Sequence, residues 1–242
     1  MKKTTKMLAI LLAAMTALSG CGGSGTTTTQ TEGKTETTAA AEKTGTETAQ
    51  KGPKDEVVTM AVISSWDTLN IYNTSGNYGN AVADQLFERL VTRTHDGVIE
   101  PRLATEWQIA DDNKSMTFKL AENALWHDGE KLTANDIVFT CKAMTNPDVD
   151  NYYRSAFNVL AGTDDDGIAA DTDQLGVEAV DDYTVKFSFK EPKDQDTILN
   201  AFLSFLYVLP EHILDTGNYA DINNSSFWTS PVGAGPFKYV KD

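Results

Sequence analysis

The sequence predicts an α/β fold, and three stretches carry the prediction. Val57-Val-Thr-Met-Ala-Val-Ile63 is a short β-rich apolar run, the pattern of a buried strand. Ser115-Met-Thr-Phe-Lys-Leu120 alternates polar and apolar residues, so one face of a second strand is buried and the other is not. Between them Val82, Leu86, Phe87 and Leu90 recur at helical spacing within Asn80–Val91, a helix with one core-facing side.

In chain order, residues 1–21 read as a targeting segment. Lys2, Lys3 and Lys6 precede an apolar run from Met7 to Leu18 that is too short to cross a membrane as a stable helix. Leu18-Ser-Gly-Cys21 resembles the lipobox of bacterial lipoproteins, in which the Cys thiol is lipidated and becomes the first mature residue. The expectation is an exported chain anchored at Cys21 to the cell membrane, on its extracytoplasmic side, without spanning it. Residues 22–54 are Thr, Gly, Ala, Glu and Lys with almost no apolar bulk. Such a segment cannot offset its ordering entropy by burial and reads as a disordered tether; a glycosylated stalk is the other reading of a Thr-rich tract.

After the Val57–Ile63 strand, residues 64–78 are polar and aromatic without periodicity, hence a loop. Asp111-Asp-Asn113 marks the turn before the Ser115–Leu120 strand, which therefore reads as one arm of a hairpin. Trp126-His-Asp-Gly-Glu130 is a tight turn whose Gly can take a positive φ, and Thr133-Ala-Asn-Asp136 is a capping box opening a helix through Ile137-Val-Phe139. Tyr152, Tyr153 and Phe157 are placed on helix and loop faces beyond it. Thr184–Phe189 alternates cleanly and reads as a strand returning to the main body of the fold. Ile198–Leu209 is nearly all apolar and fits either a buried helix or a buried strand. Gly233-Ala-Gly-Pro-Phe237 is a turn leading into a strand at Pro236–Val240.

Several chemistries are tested and set aside. The formal charge of −15 argues against nucleic acid or acidic lipid as a partner. Thr163-Asp-Asp-Asp-Gly167 invites a calcium reading, but an EF-hand loop needs an acid at the position held by Gly162, so a solvated acidic loop is preferred. His95, His127 and His212 are far apart and form no metal-binding spacing, and no G-x-S-x-G elbow occurs. The expectation is therefore no metal, no cofactor and no enzymatic activity. Cys141 sits in a core-facing helical pattern and reads as structural, so the fold forms without disulfides.

The stretch from Leu86 to Asp136 closely resembles the signature region of the family 5 solute-binding proteins of ABC importers. The matching residues are Leu86-Phe-Glu-Arg-Leu90, Asp96-Gly97, Ile99-Glu-Pro101, Leu103-Ala104, Trp107, Asp112, Phe118-Lys-Leu120, Trp126-His-Asp-Gly129 and Leu132-Thr-Ala-Asn-Asp136. Leu175–Val185, Glu191-Pro192, Leu209-Pro210 and Pro231–Phe237 continue the likeness. Arg89 stands where the family usually has Gly, Glu130-Lys131 where Thr-Pro is common, and Thr140 where Ser ends the block.

The resemblance implies a periplasmic-binding-protein-like type II (class C) lobe of α/β class with an inserted subdomain. It places residues 55–85 in the first part of lobe I, 86–180 in the inserted subdomain and 181–242 in the return to lobe I, truncated before the second lobe. It implies capture of a peptide between lobes and delivery to permease subunits, by a monomer. Nickel-chelate or oligosaccharide binding, or a surface interaction role without transport, are the alternatives. In the family the loop after the first strand opens onto the cleft, and α/β folds generally hold ligands at the carboxyl ends of strands. The ligand-contact candidates are accordingly Trp66, Tyr72, Asn73, Ser75 and Tyr78, with Ser204 and Tyr207 from the apolar stretch near the cleft. A chain of this length without a second lobe is expected not to hold peptide tightly by itself.

Overall fold

The computed structural model describes residues 68–74 and 76–240. The leader with Cys21, the tether, the Val57–Ile63 strand, Trp66 and Ser75 lie outside the described residues. The elements in order are helix α1 (Asn77–Leu86), strands β1 (Val91–Arg93), β2 (Ile99–Pro101), β3 (Ala104–Ile109) and β4 (Ser115–Leu120), and helix α2 (Ala134–Thr145). Strands β5 (Val177–Asp181) and β6 (Thr184–Ser188) follow, then helical turn α3 (Gln195–Thr197) and short helix α4 (Glu211–Leu214).

β3, β4, β6 and β5 form one antiparallel sheet in that order, and β1 pairs with β2 in a separate hairpin. The alternation in β4 does what it predicts: Met116, Phe118 and Leu120 are buried while Lys119 is exposed. Val185 and Phe187 of β6 lie opposite Phe118 and Met116 and extend the same apolar face, against which α2 packs. On the outer face Glu106 opposes Lys119 and Glu178 opposes Lys186, with ion pairs of 3.5 and 3.3 Å. Exposed cross-strand pairs of this kind contribute roughly 0.2–1 kcal/mol each. β6 does not leave this sheet: it pairs with β4 on one side and β5 on the other, so the expected boundary after Val180 falls inside the β5–β6 hairpin.

The turn at Trp126–Glu130 closes through Trp126 N–H to the Glu130 carbonyl at 2.8 Å, with Gly129 at φ 100°. α2 opens with the capping box: the Thr133 side chain takes the Asp136 N–H, and the Thr133 N–H donates to Asp136 Oδ2 at 2.8 Å. Two termini differ from the sequence reading. α1 runs from Asn77 to Leu86 and stops before Phe87, although Phe87 and Leu90 remain buried. Its last carbonyls are claimed from outside the helix, Leu86 O by Gly235 N–H at 2.9 Å and Gln85 O by Phe237 N–H at 3.0 Å. Pro236–Val240 is not a strand: its Phe237 N–H bonds a helix end, and no strand pairs with it among the described residues.

Ile198–Leu209 is neither one helix nor one strand. α3 continues as a π-helical turn over Ile198–Phe202 and a 3₁₀ turn over Leu203–Phe205, and Leu206–Pro210 has no regular secondary structure. The acidic loop is a closed turn in which Asp164 Oδ1 accepts the N–H groups of Asp166 and Ile168 at 3.0 and 2.8 Å. Cys141 is fully buried and unpaired to another cysteine, and burial pushes its thiol far above the usual range.

A run of ring contacts joins the sheet to the opposite side of the core. Phe118 meets Phe187 at 5.7 Å, Phe187 meets Phe202 at 5.3 Å and Phe202 meets Phe157 at 5.5 Å. Phe157 meets Tyr72 and Tyr72 meets Tyr207, both at 6.5 Å. Edge-to-face and tilted geometry suits the ring quadrupoles, each such pair adding about 0.5–1.5 kcal/mol beyond burial.

Candidate ligand-contact face

The loop before α1 and the segment after α3 are remote in sequence and meet in space. The Tyr72 hydroxyl donates to the Tyr207 carbonyl at 2.7 Å, and the Tyr72 ring is 1% exposed. This corrects its reading as a ligand contact. Burial raises the Tyr72 phenol well above its ordinary range, so it stays protonated and pins one segment to the other.

Around this pin the chain builds a polar cluster. Arg89 pairs with Asp84 Oδ1 at 3.3 Å, donates from Nη1 to the Ser204 carbonyl at 3.2 Å, and lies 4.8 Å from the Tyr207 ring centroid. The Tyr207 hydroxyl donates to the same Asp84 oxygen at 2.5 Å. Burial raises the Tyr207 phenol, which therefore remains a donor, while its ring is almost covered. Tyr207 and Ser204 thus shape the face through hydroxyl and carbonyl, and the charged side chains reach it from α1 and its exit.

Beside the cluster Tyr153 donates to Asn80 Oδ1 at 3.1 Å and stacks on Phe205, centroids 5.0 Å apart and planes at 19°. Phe205 is 36% exposed between buried Leu203 and buried Leu206. An apolar ring that stands out of a buried run, held flat by a second ring, is a surface on which a planar or apolar group can stack. Asn80 and Asp84 are four residues apart and share a side of α1. Tyr78 is half-buried and lies on the other side of that helix, with Val82 and Gln85, so the geometry does not bring it to the cluster.

Asn73 lines a separate open groove of about 590 Å³ with Pro147, Asp150, Asn151, Tyr152 and Arg154. Tyr152 is 66% exposed there, its N–H bonded to the Tyr72 carbonyl at 2.9 Å. A wider concavity of about 900 Å³ at one end of the sheet, lined by Glu106, Glu122, Asp181, Asp182 and Tyr183 among others, shares no residue with either.

Sequence reasoning missed Asn80, Asp84, Arg89 and Phe205. The i, i+4 spacing of Asn80 and Asp84 opposite the apolar stripe was a usable signal; the Phe205 exposure was not, because it depends on where a helical turn breaks. The arrangement offers hydrogen-bond donors, acceptors and ring faces. Among the described residues no group of three or more His, Cys, Asp or Glu is placed to hold a metal. Among the same residues no helix is long and apolar enough to cross a membrane.

Residues 98–241 match the bacterial extracellular solute-binding proteins, family 5 Middle. The chain is 34% identical over 164 residues to the periplasmic murein peptide-binding protein MppA of Escherichia coli, covering 64% of this chain and 28% of MppA. It is 30% identical over 183 residues to di/tripeptide-binding protein 1 of Pseudomonas aeruginosa, covering 70% and 32%. Among solved structures, the oligopeptide-binding protein AppA from Bacillus subtilis in complex with a nonapeptide matches with a TM-score of 0.61 at 25% identity, over 74% of this chain and 32% of that one. The chain thus spans about a third of the length of the relatives it matches.

Proposed function

The chain belongs to the family 5 bacterial extracellular solute-binding proteins, and from that premise we propose that it captures short peptides outside the cytoplasm for an ABC importer. The observation that carries the peptide reading is the cluster where the pre-α1 loop and the post-α3 segment meet, with Asp84, Arg89 and Tyr207 bonded together beside the Tyr153–Phe205 stack. A peptide presents alternating amide groups and side chains, and such a face offers hydrogen-bonding groups and an aromatic surface side by side. The names of the relatives, a murein peptide-binding protein, a di/tripeptide-binding protein and a nonapeptide complex, support the same ligand class.

In this reading Ser204 and Tyr207 remain contacts, joined by Tyr153 and Phe205, while Asn73 and Tyr152 form a second patch and Trp66, Ser75 and Tyr78 stay candidates on the loop and first turn. The chain is a monomer tethered to the membrane by lipid at Cys21, and it delivers its ligand to permease subunits. Residues 55–85 and 181–242 are assigned to lobe I and 86–180 to the insert, with the β5–β6 hairpin spanning the second boundary.

Calorimetric titration of the protein purified from its own cells with a set of di- to nonapeptides tests this. Saturable one-to-one binding is expected of the protein as its cells make it, in contrast to the weak binding expected above of the 242 residues taken by themselves. Replacing Phe205 by Ala should weaken it about tenfold, the loss of one good aromatic contact. Binding unchanged by Phe205→Ala removes the face from the account, and no binding of any peptide removes the function.

A further inference from the structure

The Trp126–Thr140 region is the strongest motif in the sequence, yet none of its side chains belongs to the candidate ligand face. Three of its polar side chains, Asp128, Asp136 and Thr140, end instead on the chain that leads away from that face. Thr140 Oγ1 accepts the Leu209 N–H at 2.8 Å and donates its own O–H to the Asp136 carbonyl at 2.7 Å. Asp136 Oδ1 accepts the Glu211 N–H at 3.0 Å. Asp128 Oδ2 bonds His212 Nε2 at 2.9 Å, with the Trp126 ring against the His212 ring at 6.1 Å.

The spacing has a physical reason. Leu206–Pro210 forms no regular element, and no strand pairs with it among the described residues. Asp136 and Thr140, four residues and about 6 Å of rise apart on α2, meet the N–H groups of Glu211, the first residue of α4, and of Leu209 two before it. Pro210 between them has no N–H to satisfy. One side of α2 therefore supplies the acceptors for the chain that enters α4. On the other side Val208 N–H bonds the Glu88 carbonyl at 3.0 Å and the Tyr207 carbonyl takes the Tyr72 hydroxyl.

We propose that Thr140 and Asp136 are positioning residues for ligand capture: buried acceptors on α2 that fix the height and register of Ser204–Tyr207 without touching the ligand. The proposal rests on the peptide-contact reading of that segment. Both side chains are buried, at 0% and 3% exposure, so neither is available to a ligand itself.

Thr140→Val keeps the shape and removes the acceptor, leaving the Leu209 N–H unpaired. Thr140→Ser restores the hydroxyl. Thr145→Val is the matched control: Thr145 is equally buried on α2 and donates to the Cys141 carbonyl at 2.8 Å, away from the Leu206–Pro210 segment. Peptide affinity and amide hydrogen exchange are measured on all four proteins. Thr140→Val should weaken peptide binding about tenfold and speed exchange across residues 203–212 with β4 unchanged, Thr140→Ser should bind within about twofold of the parent, and Thr145→Val should do neither. Equal affinities for the two Val variants, or unchanged exchange at Leu209, overturn the proposal. If the parent binds no peptide the functional reading fails, and slow exchange at Leu209 in Thr140→Val would still overturn the anchoring separately.

Discussion

Tyr72 bonds a carbonyl 135 residues away, and that one contact decides its role. An aromatic in a polar, aperiodic loop reads as exposed, and nothing within the loop shows that its ring is enclosed by Phe157 and Tyr207. Asp136 is the opposite case: its place in the capping box is legible from Thr133-Ala-Asn-Asp136, but the second bond to Glu211 is not. Asp128 gives a pH prediction. Partial burial acts to raise its carboxyl, but the bonds from His212 and from the Glu130 N–H outweigh this, and it sits below the ordinary value. A depressed native carboxyl contributes stability that is present above the unfolded value, near 4, and is lost as pH falls through the native value. Burial raises the Asp136 carboxyl instead, so its ionisation costs stability as pH rises through the window between its unfolded and native values. Thermal melts of the parent and Asp128→Asn should differ at pH 6 to 7 and converge as pH falls through the native value, since protonation removes in the parent what the substitution removes in the variant. A difference that persists at low pH would place the Asp128 contribution elsewhere than in its charge.

At the scale of elements, legibility follows how local the determinant is. β4 and the opening of α2 are set by alternation and by a four-residue box, and both appear where the residues put them. The end of α1 is set by Gly235 and Phe237, some 150 residues on, so helical periodicity continuing to Leu90 overruns it. Ile198–Leu209 carries no period because it is buried on nearly all sides, and where its helical turns give way to irregular chain it is held by anchors from α2 and by Glu88. The glycines at 233 and 235 read as flexible turn residues, but neither has a positive φ. Their role is close approach: a Cβ on Gly233 would run into the Leu86 carbonyl oxygen, and one on Gly235 would crowd the Gln85 carbonyl. His127 reinforces the contact by taking the Gly233 N–H on Nδ1 at 3.2 Å, which leaves Nε2 to donate to the Gly235 carbonyl at 2.9 Å. Gly233→Ala should therefore cost about 1–3 kcal/mol in urea unfolding, the range for forcing an extra methyl into a packed site. A cost near zero would show that the segment over the end of α1 moves freely.

For the molecule as a whole, the α/β class and the family were readable because the signature is long and ordered, while the candidate ligand face was readable only as two regions. The structure joins those regions through Tyr72, moves Tyr72 itself into the core and leaves Tyr78 on the other side of α1. Aromatic contacts run from the sheet through Phe202 and Phe157 to that face, so the face rests on the main core rather than on a surface loop. The signature region and the face are then parts of one design, the first holding the segment that forms the second. The most direct test of the central claim is native mass spectrometry of the protein isolated gently from its own cells, with fragmentation of whatever it carries. The account predicts adducts that fragment as short peptides and are displaced by added di- to nonapeptides. A protein that carries a non-peptide solute which added peptides do not displace, or that takes up no peptide at millimolar concentration, would contradict it.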